Sequence, residues 1–173
     1  TKAASTGDGR YYVAIGHTAM FSAAADSNAI GSEALLQAGG VSGNDAFGYQ
    51  ALHGPSADGN VGVGFRAFAS VSVAAANTGI GSRAGDNVRT GSKNVAIGSQ
   101  AGPSGDFSNT ISIGYNAQAS ASNKARIGNG SVTTIAGQVA WTATSDGRIK
   151  KDIRDSDLGL DFINHLHPVS YRR

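Results

Sequence analysis

One seven-residue pattern recurs eight times at nearly constant spacing. It reads "VAIGHTA" from Val13, "NAIGSEA" from Asn28, "DAFGYQA" from Asp45 and "VGVGFRA" from Val61. It continues as "TGIGSRA" from Thr78, "VAIGSQA" from Val95, "ISIGYNA" from Ile111 and a degenerate "ARIGNGS" from Ala125. The glycines fall at 16, 31, 48, 64, 81, 98, 114 and 128, so successive spacings are 15, 17, 16, 17, 17, 16 and 14. A fixed period of this kind means stacked units, because one short unit cannot bury its own apolar face. A flexible Gly/Ser linker has no reason to hold isoleucine or valine at a constant phase.

Each unit has a simple local reading. The three residues before the glycine suit a strand, and the Ile or Val at the third place points to one side of it. The glycine permits a positive φ or a close backbone approach. The alanine three residues later is small enough to sit inside a narrow coil. Between units lie "SGND", "ADGN", "AANT", "GSKN" and "SGDFSNT", clusters that make turns. Each unit is therefore expected to be a short strand, a tight bend, a second short strand and a turn. A unit of about 16 residues is one rung of a β-solenoid.

Composition agrees and excludes several alternatives. The chain has 173 residues, 25 of them Gly and 3 of them Pro. Glycine is not at every third place, so collagen is excluded. Aromatics are 7% while hydrophobics reach 40%, which favours layers of small and β-branched residues over a bulky core. The absence of cysteine removes both disulfides and a thiolate zinc site, leaving repetition or oligomerisation to supply stability. A net charge of +2 is too small to argue for nucleic acid. No apolar run approaches the roughly 20 residues of a membrane span. The opening "TKAASTGDGR" has no signal-peptide pattern, and this leaves location open.

The units resemble the YadA-type head of trimeric autotransporter adhesins, where "AIGxxA" units stack. "NVAIGSQAG" at Asn94 to Gly102 carries the likeness most closely, and it extends from about Tyr11 to Ser131. The resemblance implies a left-handed parallel β-roll, three chains side by side and isoleucine facing inward. Similar long units occur in phage tail fibres.

Other signals in the repeats are weaker. "GVGFRA" at Gly62 to Ala67 looks like a dinucleotide fingerprint, but its glycines belong to the repeat. His17 and His53 are expected to be exposed loop residues rather than metal ligands. "NGS" at Asn129 matters only in a eukaryotic secretory route. Phe21, Phe47, Tyr49, Phe65, Phe68, Phe107 and Tyr115 occupy variable places; some are expected to fill gaps and others to offer stacking faces. Residues 1–144 hold seven acidic residues, including Asp8 and Glu33, with no pair recurring on neighbouring rungs. Glycoside hydrolysis usually needs two facing carboxylates, so binding is favoured over hydrolysis.

The character of the chain changes at Ser145. Residues 145–173 carry 11 charged side chains among 29 residues, against 15 among the preceding 144. In "DSDLGLDFINHLHP", Leu158, Phe162, Ile163 and Leu166 fall at helical spacing. Ser156 or Asp157 can cap such a helix and Pro168 can end it. "GQVAWTA" from Gly137 reads as a connecting strand.

"SDGRIKKDI" followed by "GLDFINHLHPVSY" resembles the start of the C-terminal intramolecular chaperone of endosialidase-type phage tail spikes. The family pattern is Ser-Asp-x-Arg-x-Lys-x-Asp-Ile, a spacer, a hydrophobic helix, then Pro-Val-x-Tyr. The resemblance implies a module that trimerises, helps the preceding β-structure assemble and is often then cut off. The cut would fall between Thr144 and Ser145, with Ser145 and Lys150 matching the catalytic pair. A serine needs a base to become a nucleophile, and a lysine serves only when desolvation or nearby positive charge lowers its pKa. Arg148 and Lys151 would supply such charge. The family module continues well beyond "PVSY", so this chain holds only its beginning. His165 and His167 flank a leucine and are not expected to bind metal.

The expected fold is thus all-β: a trimeric left-handed parallel β-roll over residues 1–136, a connecting strand at 137–144 and a short α-containing chaperone segment at 145–173. The expected function is an extracellular fibre or adhesin segment that binds a cell-surface receptor or glycan. Its partner is two further copies of itself, with no nucleic acid, membrane insertion, cofactor or metal. Any enzymatic activity is at most single-turnover autoproteolysis. A bacterial mosaic surface adhesin, rather than a phage tail fibre, and a glycan-degrading tail spike are the alternatives.

Overall fold

The structure is a computed structural model, and it describes residues 12–20, 26–36, 40–54, 57–139, 165–166 and 169–170. The chain divides into two compact units, Thr1–Thr134 and Ile135–Arg173. All of the strands among the described residues lie in the first. They are β1 (Tyr12–Ile15), β2 (Ser27–Ile30), β3 (Asp45–Phe47), β4 (Val61–Val63) and β5 (Thr78–Ile80). Then follow β6 (Val95–Ile97), β7 (Gly102–Pro103), β8 (Ile111–Ile113), β9 (Gln118–Ala119) and β10 (Ala125–Ile127).

Eight of these strands form one sheet in the order β1-β2-β3-β4-β5-β6-β8-β10. Every neighbouring pair is parallel. Consecutive strands that pair in parallel without a helix between them make a β-solenoid, one strand per rung. The register never slips. Ile15 lies beside Ile30, Ile30 beside Phe47, Phe47 beside Val63, Val63 beside Ile80, and so on to Ile127. Each place in the repeat is therefore a column running along the solenoid, with rungs about 4.8 Å apart.

The second strand of the unit is realised less fully than its sequence suggests. Only β7 and β9 pair as strands there. Elsewhere that side of the rung is held by single backbone bonds, such as Leu35 N–H to Ala51 O and Phe68 N–H to Ala84 O. The cause is backbone conformation. In most rungs the second and fourth residues after the bend glycine have positive φ, as in Glu33 (58°) and Leu35 (50°), or Arg66 (55°) and Phe68 (48°). Such a run turns the chain too tightly for a continuous ladder.

The core is narrow and made of small residues. The middle strand place is buried, as at Ala29, Ala46, Ala96 and Ser112. The repeat alanines Ala34, Ala51, Ala67, Ala84, Ala101 and Ala117 are also buried, as the sequence suggests. Three larger side chains, Leu35, Leu52 and Phe68, fill the space between these columns. Each contributes roughly 1.5–3 kcal/mol by burial. Glycine replaces alanine where they are largest: a Cβ on Gly62 would lie 2.9 Å from Leu52 Cγ, and one on Gly79 would lie 2.5 Å from Phe68 Cδ2.

The third strand place points the other way. Ile15, Ile30, Phe47, Ile80, Ile97, Ile113 and Ile127 are all exposed, from 36% at Ile30 to 44% at Ile80. Isoleucine thus does not face into the chain's own core; it forms a column on the outside of the sheet.

A second column, at the entry to the strand, is polar and fully buried. It runs Ser27, Asn44, Asn60, Asn77, Asn94, Thr110. The sequence reading places all but Ser27 in turns, and each does follow a corner residue with positive φ (Asp26, Gly43, Gly59, Ala76, Lys93, Asn109). Their side chains turn inward instead. Asn44 Oδ1 accepts from Asn60 N–H at 2.9 Å, Asn60 Oδ1 from Asn77 N–H at 3.0 Å and Asn77 Oδ1 from Asn94 N–H at 3.0 Å. Asn94 Oδ1 accepts from Thr110 N–H at 3.0 Å. The ladder starts with Ser27 Oγ accepting from Asn44 N–H. From β2 to β6 each rung thereby satisfies a buried donor of the next, which would otherwise cost about 1–3 kcal/mol.

The expected helix between Asp157 and Leu166 lies almost wholly outside the described residues. Of the expected connecting strand, Gly137 to Val139 are described, and they are exposed without strand structure. No helix occurs among the described residues.

Replacing Asn77 by alanine is expected to destabilise the solenoid by about 1–3 kcal/mol, because Asn94 N–H loses its acceptor inside the core. Asn77→Ser is expected to cost less, since a hydroxyl at this place already accepts at Ser27. Urea unfolding of the two variants measures the difference; equal costs would show that the acceptor is not what the column supplies.

Candidate interaction surface

Three columns of the solenoid face solvent and carry chemistry. The first is the third strand place, apolar in every rung. The second is the residue after the bend glycine: His17, Ser32, Tyr49, Phe65, Ser82, Ser99 and Tyr115. Tyr49 and Phe65 stack with ring centroids 5.6 Å apart and planes 18° from parallel. Both rings are exposed, and so are Phe47 and Tyr115. In contrast Phe68 is wholly buried and Phe107 half-buried. The register therefore sorts the aromatics. Phe68 fills the core, Phe47 stands within the isoleucine column between Ile30 and Val63, and Tyr49 and Phe65 form a stacked aromatic patch in the column after the bend glycine. Phe21 lies outside the described residues.

The third column is the next residue on: Thr18, Glu33, Gln50, Arg66, Arg83, Gln100 and Asn116. All of these have positive φ, which turns each side chain out from the bend. Polar contacts here run from rung to rung. Gln50 Nε2 donates to Glu33 Oε2 at 2.8 Å. His53 Nε2 sits 3.7 Å from the same carboxylate, so His53 is half-buried and partnered rather than a free loop residue. His17 is exposed, as expected. Arg66 Nη2 lies 3.8 Å from Asp86 Oδ1, and Asp86 also accepts from Ser70 Oγ at 3.3 Å.

The bend glycines hold these columns in line. In β4 the "GVGFRA" glycines serve the rung: Gly62 faces Leu52, and Gly64 makes the bend with φ of 128°. No helix follows them, which is incompatible with a dinucleotide loop. At Asn129, the side-chain Oδ1 accepts from Ser131 N–H at 2.9 Å, an Asx-type turn.

Asp106 fastens the turn side of two rungs. Its Oδ1 accepts from the backbone N–H groups of Arg89, Thr90 and Gly91 at 2.8–2.9 Å, and its Oδ2 accepts from Thr90 Oγ1. The Thr90 hydroxyl foremost, and then the three N–H groups, hold the Asp106 carboxyl well below the usual carboxylate range against a partial opposing effect of burial. Asp58 makes a related contact, accepting from Ser42 N–H at 2.8 Å.

The residues to which the chaperone resemblance assigns self-cleavage, Thr144, Ser145 and Lys150, lie outside the described residues. So do Arg148 and Lys151. Among the described residues no three His, Cys, Asp or Glu side chains gather as a metal site. The asparagine ladder and the aromatic patch are features that unit-by-unit reading does not reach. Aligning the units on their glycines, and then reading down each column, exposes both.

No family model, curated protein or solved structure matches the chain.

A depressed carboxyl pKa adds stability that is fully present above the unfolded value, near 4, and is lost as pH falls through the folded value. Asp106→Asn is therefore expected to be less stable than the parent at pH 7 and to lose less stability on acidification below about pH 4. Thermal unfolding from pH 7 to pH 2 measures this, and parallel pH profiles for the two proteins would refute it.

Proposed function

We propose that the chain is a segment of a trimeric extracellular fibre that binds a receptor or glycan on a cell surface. Residues 145–173 would begin the chaperone that assembles it and cuts before Ser145. The observation that carries the reading is the exposed isoleucine column. It is apolar at every rung from Ile15 to Ile127 and is held in strict register. Continuous apolar patches of this extent on a folded chain mark surfaces made to be covered. A copy of the same chain offers a stripe of identical pitch, so three parallel rolls can bury the stripes against one another. This is the arrangement that the resemblance to YadA-type heads implies, in its left-handed form.

The outward residues then do the binding. Once the isoleucine column is covered, the columns after the bend remain as a repetitive surface of polar and aromatic side chains. Such a surface suits recognition of a repetitive ligand such as a glycan. The sequence "SDGRIKKDI" supports a tail-spike origin for the assembly step, with Ser145 as nucleophile and Lys150 as its base. A bacterial surface adhesin of mosaic type would use the same segment in the same way.

Native mass spectrometry tests the assembly. The expected mass is three times the 17.4 kDa chain, with subunits ending at Thr144 where cleavage has occurred. Ile80→Asp combined with Ile97→Asp is expected to give monomers whose β-structure persists by circular dichroism. Ser145→Ala is expected to abolish the cut while leaving the trimer. A parent protein that is monomeric at micromolar concentration would overturn the trimeric fibre.

A further inference from the structure

A concavity of about 260 Å³ opens on the solenoid wall around β7 and β9. Its rim is polar. Arg83, Gln100 and Asn116 occupy the same place in three consecutive rungs, two residues beyond Gly81, Gly98 and Gly114. The backbone fixes their spacing, since Gln100 N–H donates to Ser82 O and Asn116 N–H to Ser99 O, each at 2.9 Å. Gln118, Asn87 and Asp86 complete the lining.

The floor is backbone. In earlier rungs the residue after the repeat alanine is Leu35, Leu52 or Phe68, each filling the core. Here that residue is Gly85 and then Gly102, and both lie in the floor. A Cβ on Gly102 would stand 3.0 Å from Gly85 Cα and one on Gly85 would overlap the Phe68 ring, so neither place has room for a side chain.

The pocket's two charged side chains, Arg83 and Asp86, are engaged differently. Asp86 is already engaged by Arg66 on one side and Ser70 on the other. Arg83 has no acidic partner among the described residues. The carboxamides of Gln100, Asn116 and Gln118 likewise hold no side-chain hydrogen bond among them. Among the described residues the pocket thus presents one guanidinium without an acidic partner and three carboxamides without side-chain hydrogen bonds. A guanidinium matches a carboxylate with two parallel hydrogen bonds, and carboxamides offer both donor and acceptor to hydroxyl groups.

We infer that this pocket binds one carboxylate-bearing sugar unit of a surface glycan, the carboxylate on Arg83 and the hydroxyls on Gln100, Asn116 and Gln118. The inference rests on the adhesive reading above and names the chemistry of its ligand. The volume lies just under the ~300–1,000 Å³ of pockets that enclose drug-sized ligands, which suits a single ring better than an oligosaccharide. Neighbouring units of a chain would lie outside it.

Isothermal titration of the whole protein with sodium glucuronate, glucose and inorganic phosphate tests the assignment. Glucuronate is expected to bind saturably, glucose several-fold more weakly and phosphate not at all. Arg83→Gln is expected to weaken glucuronate about tenfold while leaving glucose unchanged. Gln118→Ala is expected to weaken both sugars; its side chain is exposed, so it serves if Arg83→Gln fails to fold. Absence of saturable glucuronate binding would overturn the inference. So would phosphate binding as tightly as glucuronate, which would make this an anion site without sugar specificity. The same samples are weighed by native mass spectrometry. A trimer that ignores glucuronate removes the pocket assignment and leaves the fibre, whereas a monomer that binds it removes the fibre and leaves the pocket.

Discussion

The structure depends on how closely one bend may lie on the next. At Gly31 a side-chain carbon would sit 2.4 Å from the carbonyl oxygen of Gly48, and at Gly81 one would sit 2.6 Å from that of Gly98. No residue with a Cβ fits, and the φ values of 138° and 133° are closed to L side chains in any case. That contact sets the distance between rungs and, with it, the register of everything else. The bonds from Gly48 N–H to Ile30 O and from Gly64 N–H to Phe47 O, each 2.7 Å, lock the bend onto the strand of the preceding rung. Columns exist because this place cannot shift.

Given that register, a core this poor in large side chains becomes possible. Most of its apolar residues are alanine, which contributes little by burial alone. The asparagine ladder compensates by a different route. It places a carboxamide where the chain turns into each strand, so that no buried N–H at that corner is left without an acceptor. A buried polar array of this kind is stabilising only when every member is satisfied. Here both ends close with hydroxyl residues, Ser27 and Thr110, which are short enough to finish the series. Specific spacing thus comes from polar groups, and bulk filling from Leu35, Leu52 and Phe68.

Much of this was legible in the sequence, and the misses have physical causes. The bend glycines and the buried alanines follow from period and size, and the structure has them where the units put them. Asn60 and Asn77 were harder, because a residue following Gly59 or Ala76 at a corner looks like any turn former; its burial depends on the neighbouring rung. The direction of Ile80 and Ile97 needed the middle place to be recognised as the core position, which its small residues, Gly79 and Ala96, do signal. The second strand was overestimated because positive φ at Glu33, Gln50 and Arg66 is not written in those residue types. Tyr49 and Phe68 could not be told apart by composition, only by place: one follows the bend glycine, the other the repeat alanine. Ser145 and Lys150 remain known by their sequence pattern, since they lie outside the described residues.

The column after the bend glycine has a separate consequence. It holds His17, Ser32, Tyr49, Phe65, Ser82, Ser99 and Tyr115, residues with little in common, on a backbone that hardly varies. One place earlier, from Gly16 to Gly98, the backbone of the next rung leaves no room for a Cβ. The scaffold and its lettering are therefore separable: a new surface chemistry needs only single exchanges in an outward column, with no refolding and no compensating change in the core. Such a surface can diversify one rung at a time, and adding or losing a rung lengthens or shortens the text without altering its alphabet.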